Sequence, residues 1–174
     1  MKSRISRIDA LNVAVATGFY ISYIPFWLTK NSRLASKKRW TGAGFLGTVI
    51  GWAGLYALPE ASLPFGIALF VSIAAACAIC GRAQHALGTH DDSRIILDET
   101  VGYWSAVAWL PRDPKLLLLG FVLFRFFDAA KLPPYRALER LPGGTGVVMD
   151  DVGAGIVTNL CLRAVCFAAP GWLI

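Results

Sequence analysis

Long apolar runs separated by short polar breaks set the pattern of this chain, and the run lengths suit helices rather than strands. From Ala10 to Thr29 no residue is charged, a membrane-spanning length that Gly18 and Pro25 interrupt. Cationic residues flank this run on both sides, which disfavours a crossing and predicts a segment that lies in the interface or re-enters. Apolar segments from Thr41 to Leu58 and from Ala61 to Cys80 follow, joined by a turn carrying Pro59 and Pro64, and predict a helical hairpin. Gly44, Gly47, Gly51 and Gly54 along its first arm predict close helix packing. A second hairpin is predicted from about Ile95 to Leu110 and from Leu116 to about Lys131, turning at Pro111 to Lys115. At about 1.5 Å per residue each arm reaches about 24 Å, which returns its two polar ends to one level. Pro133 and Pro134 end the second arm, Gly143 to Gly146 reads as a loop, and a last helix is expected from about Met149 to Phe167. The expected fold is all-α: a single domain over 1–174, a multi-helical membrane-embedded bundle built from helical hairpins.

Composition sharpens that picture. Hydrophobic residues make up 56% of the chain and charged residues 16%, with mean hydropathy +0.55. An average soluble domain is roughly a quarter charged, so the bilayer is the expected solvent. The net charge is +6, but Lys and Arg gather in the first seven residues, between Lys30 and Arg39, and at Arg82. That distribution resembles the flanks of membrane helices and argues against a nucleic-acid groove. Lys37, Lys38, Arg39 and Arg82 at the open ends of the first hairpin place those ends on the cytoplasmic side. The basic start lacks a small-x-small cleavage site followed by a polar chain, and is expected to be retained.

Three polar clusters interrupt the apolar runs, and their chemistry is mostly acidic. The first, from His90 to Glu99, holds four carboxylates, His90 and Arg94 in ten residues, and is either a solvated turn or a metal site. His90, Arg94 and Asp98 share one helical face, which makes Asp98 the expected inward carboxylate, while Glu99 splays away from it. In the second cluster Arg125, Asp128 and Lys131 line one face, alternating phosphate-binding cations with a carboxylate. The bland alternative is a surface salt-bridge ladder, but charges at the ends of apolar arms are costly. The third is Asp150 and Asp151 near a helix start; capping explains one, and Asp151 is the better ligand candidate. The glycine loop before them offers backbone amides to a phosphate. Cys77, Cys80, Cys161 and Cys166 all lie in apolar surroundings, and no disulfide scaffold, zinc site or thiol chemistry is expected of them. Oxygen-only acidic groups suit a hard cation such as Mg²⁺.

These residues stand in a known order. His90-Asp91 to Asp98-Glu99-x-x-Gly102 is followed by Gly120-Phe121-x-x-Phe124-Arg125-x-x-Asp128-x-x-Lys131-x-Pro133-Pro134. Gly144-x-Gly146-Val147-Val148-Met149-x-Asp151-x-x-x-Gly155 comes last. The series closely resembles the phosphatidylglycerophosphatase A family, most strongly over 88–155. The resemblance implies a Mg²⁺-dependent enzyme of the bacterial cytoplasmic (inner) membrane, its site facing the cytoplasm, that removes the terminal phosphate from phosphatidylglycerophosphate. The chain departs from the family at Leu132, where a proline is usual, at Ala43 to Thr48, and in the insertion from Lys30 to Thr41.

No Cys-x5-Arg loop, haloacid-dehalogenase Asp-x-Asp pair or His-containing lipid-phosphatase signature is present, so metal-assisted hydrolysis is the simplest expected reaction. Asp98, Asp128 and Asp151 are the expected metal ligands, with Glu99 and Asp150 as further ligands or as acceptors for bound water. Arg94, Arg125, Lys131, Gly144 and Gly146 are the expected phosphate contacts. Glu99 or Asp91 is expected to take the proton of the attacking water; His90 either protonates the leaving oxygen or orders its loop. The runner-up is a noncatalytic helical module binding anionic lipid or a partner protein, which needs the cations but not the acids. A CDP-alcohol phosphotransferase is disfavoured because its D-G-x-x-A-R signature is absent. Oligomeric state is left open.

Overall fold

The computed structural model describes residues 6–29, 42–89, 92–169 and 171. His90 and Asp91, the cationic segment from Lys30 to Arg39, and Thr41 lie outside them. The described residues are helical, with no strand among them.

The first apolar run is two helices, α1 (Arg7–Ala16) and α2 (Tyr23–Thr29), rather than one long span. Ser6 starts α1 by accepting the Asp9 backbone N–H. Gly18, Phe19 and Tyr20 then take φ of 59°, 54° and 67°, three successive left-handed residues that no helix can continue through. The Thr17 hydroxyl stabilises the break, donating to the Val13 carbonyl at 2.8 Å and accepting the Tyr20 N–H at 3.2 Å. Each piece is too short to cross a bilayer, as an interfacial or re-entrant segment requires.

The remaining elements are α3 (Ala43–Leu55), α4 (Ser62–Leu87), α5 (Leu97–Ala106), α6 (Pro114–Ala130), α7 (Pro133–Arg136), a 3₁₀ turn (Leu138–Arg140) and α8 (Gly144–Ala168). Both predicted hairpins are recognisable, and their turns sit at one end of the bundle. Trp109 Nε1 donates to the Ser62 carbonyl at 3.0 Å, and Arg112 donates to the Leu58 and Pro59 carbonyls at 2.8 and 3.0 Å. Three details differ from the sequence expectation. Helix α4 continues past Cys80 to Leu87, where Gly88 in the left-handed region ends it. Helix α8 begins at Gly144, so the expected glycine loop is its first turn. The arms α3 and α4 do not pack against each other to any extent: α3 packs chiefly on α5, and α4 on α1, α8 and α5. Helix α8 is the organising element, with α4, α5, α6, α7 and the 3₁₀ turn packed around it.

Among the described residues two helices, α4 and α8, are long and apolar enough to cross a membrane by length and composition. A soluble core helix of that kind would be mostly buried, yet the most apolar stretch of α4 is only 22% buried and that of α8 only 39%. Leu63, Ile67, Phe70 and Val71 on α4, and Leu118, Val122 and Phe126 on α6, are exposed. Stripes this apolar in contact with water would be strongly unfavourable; facing acyl chains they are not. Away from the acidic cluster, several buried polar groups find internal partners, as a membrane demands. The Tyr103 hydroxyl donates to the Leu117 carbonyl at 2.9 Å, and Thr158 to Ala154 at 2.8 Å.

Candidate active site

Helices α5 and α8 both begin at the end opposite the two turns, and they cross where each carries a glycine. A Cβ on Gly155 would lie 2.4 Å from the Gly102 carbonyl oxygen, and one on Gly102 would lie 2.9 Å from Asp151 Cβ. Only glycine at both positions allows the axes this close. Asp98 stands one turn before Gly102, and Asp151 one turn before Gly155, so the contact that joins the helices also joins their carboxylates. Oxygens from Asp98, Glu99 and Asp151 all lie within 4.8 Å of one another. Asp98 and Asp151 are only 7% and 6% exposed.

Glu99, expected as a further ligand or an acceptor for bound water although it splays away from Asp98, joins this group directly. The reason is α3, whose Gly44 and Gly47 leave room for it: a Cβ on Gly44 would meet Glu99 Oε1 at 2.2 Å, and one on Gly47 would meet Glu99 Cβ at 3.2 Å. Burial pushes the Glu99 carboxyl well above the ordinary carboxylate range; the Asp98 charge and a hydrogen bond with Asp98 add to the rise, and Arg125 opposes it. Glu99 Oε2 is buried with no hydrogen-bond partner. Three converging carboxylates in so dry a place need shared protons or a cation, and their all-oxygen donor set fits a hard divalent ion.

Helix α6 brings the positive charge. Arg125 Nη1 lies 2.9 Å from Asp128 Oδ2 and 4.0 Å from Glu99 Oε1. Asp128 is therefore beside the cluster, holding the guanidinium, and is not among the three residues whose oxygens converge. Lys131 caps α6 in the left-handed region at φ 44° and reaches Asp150 Oδ2 at 2.8 Å and Glu139 Oε1 at 3.3 Å. Asp150 and Asp151 thus face different partners, as consecutive residues on a helix must. Gly144 and Gly146 press their Cα atoms against neighbouring backbone. A Cβ on Gly144 would lie 2.2 Å from the Cys77 carbonyl oxygen, and one on Gly146 would lie 2.3 Å from that of Leu141. All four cysteines are free.

Arg94 neither pairs with Asp98 nor points its charge at open space. Its Nε lies 2.7 Å and its Nη2 2.5 Å from the Asp92 carboxylate, and its guanidinium lies 5.3 Å from the Tyr23 ring centroid and 5.6 Å from that of Phe26. Ser22 adds a hydrogen bond to the Arg94 carbonyl at 2.5 Å. Together these tie α2 to the segment leading into α5. Burial opposes ionisation of Asp92, but hydrogen bonds from Arg94 and Thr89 and the Arg94 charge outweigh it and hold the carboxyl below its ordinary value of 3.8. A depressed carboxyl stabilises the fold above its unfolded pKa and loses that contribution as pH falls through the folded one. Asp92→Asn is accordingly expected to cost roughly 2–3 kcal/mol near neutral pH, and the gap from wild type to narrow in acid below about pH 4. Thermal melts of both proteins between neutral and acid pH check this; a gap that widens in acid would contradict it.

Asp92, Glu139 and Tyr135 were not singled out from sequence. The Asp-x-Arg spacing of a tight turn was the available signal for Asp92. Nothing local marks Glu139, because its partner comes from another helix.

A family model described as phosphatidylglycerophosphatase A matches residues 14–166. The phosphatidylglycerophosphatase A of Haemophilus influenzae is 32% identical over 141 residues, covering 77% of this chain and 80% of its own. That of Escherichia coli is 31% identical over 96 residues, covering 54% and 56%. A Bacteroides thetaiotaomicron protein, provisionally described as a phosphatidylinositol-3-phosphatase, is 29% identical over 180 aligned positions, covering 98% and 99%. No solved structure matches significantly.

Proposed function

The chain belongs to the phosphatidylglycerophosphatase A family, and from that membership we propose that it is a Mg²⁺-dependent phosphatase that hydrolyses phosphatidylglycerophosphate to phosphatidylglycerol. Its proposed place is the bacterial inner membrane, with the site facing the cytoplasm. The observation that carries the reading is the convergence of Asp98, Glu99 and Asp151 beside Arg125, at the end where α3, α5 and α8 all begin. A noncatalytic lipid-binding module would have no use for three converging acids, two of them buried.

In this reading Asp98, Glu99 and Asp151 hold the cation. Once bound, Mg²⁺ supplies charge that polarises the phosphate and lowers the pKa of a water. The protein's groups do the remainder. Water attacks phosphorus, the bond from phosphorus to the headgroup oxygen breaks, and the water's proton passes to a carboxylate, Glu99 or Asp91. Arg125, aligned by Asp128, and Lys131 neutralise charge gathering on the phosphoryl oxygens. The N-termini of α3, α5 and α8 add their partial positive charge. His90 either donates the proton to the leaving oxygen or orders its loop.

Asp150 serves in this scheme by fixing Lys131. Lys131→Ala is expected to lower kcat on the lipid phosphate at least about a hundredfold while leaving association with anionic vesicles near wild type. Unchanged turnover with lost vesicle binding would make Lys131 a lipid anchor and favour the noncatalytic reading.

A second substrate is favoured by the full-length match to the Bacteroides protein described as a phosphatidylinositol-3-phosphatase. Both lipids carry a phosphate monoester on a polyol headgroup, which is what this cluster of acids and cations recognises. Phosphate release from phosphatidylglycerophosphate, phosphatidylinositol 3-phosphate and phosphatidate, with Mg²⁺ and with chelator, tests the proposal. Release confined to phosphatidylinositol 3-phosphate would transfer the assignment, and no Mg²⁺-dependent release from any of them would overturn it.

A further inference from the structure

After α6 the chain turns back across the start of α8 as a strap, and the strap is built around Lys131. The Lys131 N–H donates to the Phe127 carbonyl at 3.0 Å, and the Tyr135 hydroxyl donates to the same oxygen. Tyr135 is 3% exposed, so α7 is anchored against the bundle. Farther along, the carbonyls of Glu139 and Leu141 close over Gly146, where a Cβ would sit 2.7 and 2.3 Å from their oxygens. Gly146 thereby sets the backbone of the 3₁₀ turn, and with it the position from which the Glu139 side chain reaches Lys131.

The two carboxylates on Lys131 are not equivalent. Asp150 lies 2.8 Å from Nζ with its side chain 5% exposed, and moving it away would strand a buried charge. Glu139 lies 3.3 Å from Nζ with its side chain 35% exposed, so it can turn into water at little cost. The charge count matters more. One ammonium between two carboxylates carries a net negative charge and does not attract a phosphate; with Glu139 withdrawn, Lys131 and Asp150 are neutral together and the ammonium has a face to offer.

We propose that Glu139 is a positioning residue that occupies Lys131 in place of the substrate phosphate and yields that position when the phosphomonoester of the lipid arrives. The strap's backbone stays docked on Gly146 while the Glu139 side chain swings outward. Glu139 thus raises the phosphate concentration needed for binding and speeds departure of the inorganic phosphate product. This inference rests on the proposed phosphate-binding role of Lys131.

The test is steady-state kinetics on phosphatidylglycerophosphate in mixed micelles with Mg²⁺, together with inhibition by inorganic phosphate. Glu139→Gln removes the competing charge, and is expected to lower both KM and the inhibitory phosphate concentration roughly three- to tenfold, shifting kcat less. Glu139→Asp, which draws the carboxylate back by one methylene, is expected to move both in the same direction by less. Replacing Lys131 with Ala in the Glu139→Gln protein should erase the difference, since Glu139 acts only through that ammonium. Glu60→Gln, at the opposite end with its side chain 83% exposed, is the control and should change neither constant. If both Glu139 variants melt like wild type yet leave KM and phosphate inhibition unchanged or raised, the inference is overturned. If Lys131→Ala itself turns over like wild type, the reading beneath it fails instead.

Discussion

Asparagine at Asp98 or at Asp151 is expected to lower turnover by at least about a thousandfold while leaving the protein folded, and in chelator no less stable than wild type. The two halves of this result come from one geometry. Asp98, Glu99 and Asp151 bring oxygens within 4.8 Å of one another in a site where Asp98 and Asp151 are almost fully buried. Without a cation such a group is a source of repulsion and of desolvation cost, and Glu99 registers it as a carboxyl driven up by burial and by Asp98. Removing one charge relieves that cost, so an apo protein gains or breaks even. With a cation the sign reverses: each carboxylate becomes a ligand, and losing one weakens the site. Wild type should therefore melt higher as Mg²⁺ is added, and the Asn variants should show little or none of that rise. Either a variant that keeps a tenth of wild-type turnover at saturating Mg²⁺, or one that keeps the full Mg²⁺-dependent rise in Tm, would remove that residue from the metal site. Asp128→Asn is a useful contrast, because Asp128 Oδ2 sits on Arg125 and not in the converging trio. Its loss should cost turnover through a misplaced guanidinium while the Mg²⁺-dependent rise in Tm persists.

Much of this arrangement is written in local sequence, because helices report themselves through apolar run length and through proline and glycine breaks. The two hairpin turns, the pair of Arg125 and Asp128 one turn apart on α6, and the break of the first run at Gly18 are all of that kind. What stays hidden depends on partners distant in the chain. Glu99 turns inward because α3 presents Gly44 and Gly47 to it, and no spacing within α5 contains that information. Arg94 satisfies an i, i+4, i+8 pattern with His90 and Asp98, yet helix α5 begins only at Leu97, so the pattern has no helix beneath it. Arg94 instead closes on Asp92 two residues away. The Gly143 to Gly146 stretch resembles a loop by composition, but Gly144 and Gly146 are glycine because backbone from α4 and from the 3₁₀ turn approaches their Cα atoms. Composition shows that a glycine is present; only packing shows why.

The same reasoning makes Gly155 the position where the smallest change should do the most damage. Gly155→Ala adds one methyl at a point where its Cβ would lie 2.4 Å from the Gly102 carbonyl oxygen, 3.0 Å from Ser105 Cβ and 3.1 Å from the Ala106 nitrogen. Two of those atoms are backbone, so no rotamer change relieves the clash and the helices must move apart. Intrinsic helix propensity favours Ala over Gly by about 1 kcal/mol, which bounds how much of the strain is offset locally. The overpacking term is larger, and a net loss of roughly 1–3 kcal/mol is expected. Activity should suffer more than stability, because Asp98 and Asp151 stand one turn from this crossing and separate as it opens. A displacement of about 1 Å at a reacting centre can lower turnover about a hundredfold, and a widened trio would also bind its cation less tightly. Gly155→Ala is therefore expected to lose at least about a hundredfold in kcat and most of its Mg²⁺-dependent rise in Tm, while remaining folded in detergent. Gly171→Ala, where an added Cβ meets nothing within 4 Å, should match wild type in both measurements. If Gly155→Ala melted lower yet kept wild-type turnover and its full response to Mg²⁺, the crossing would be a packing feature only, and the spacing of Gly102 and Gly155 from the acids would have no part in building the site.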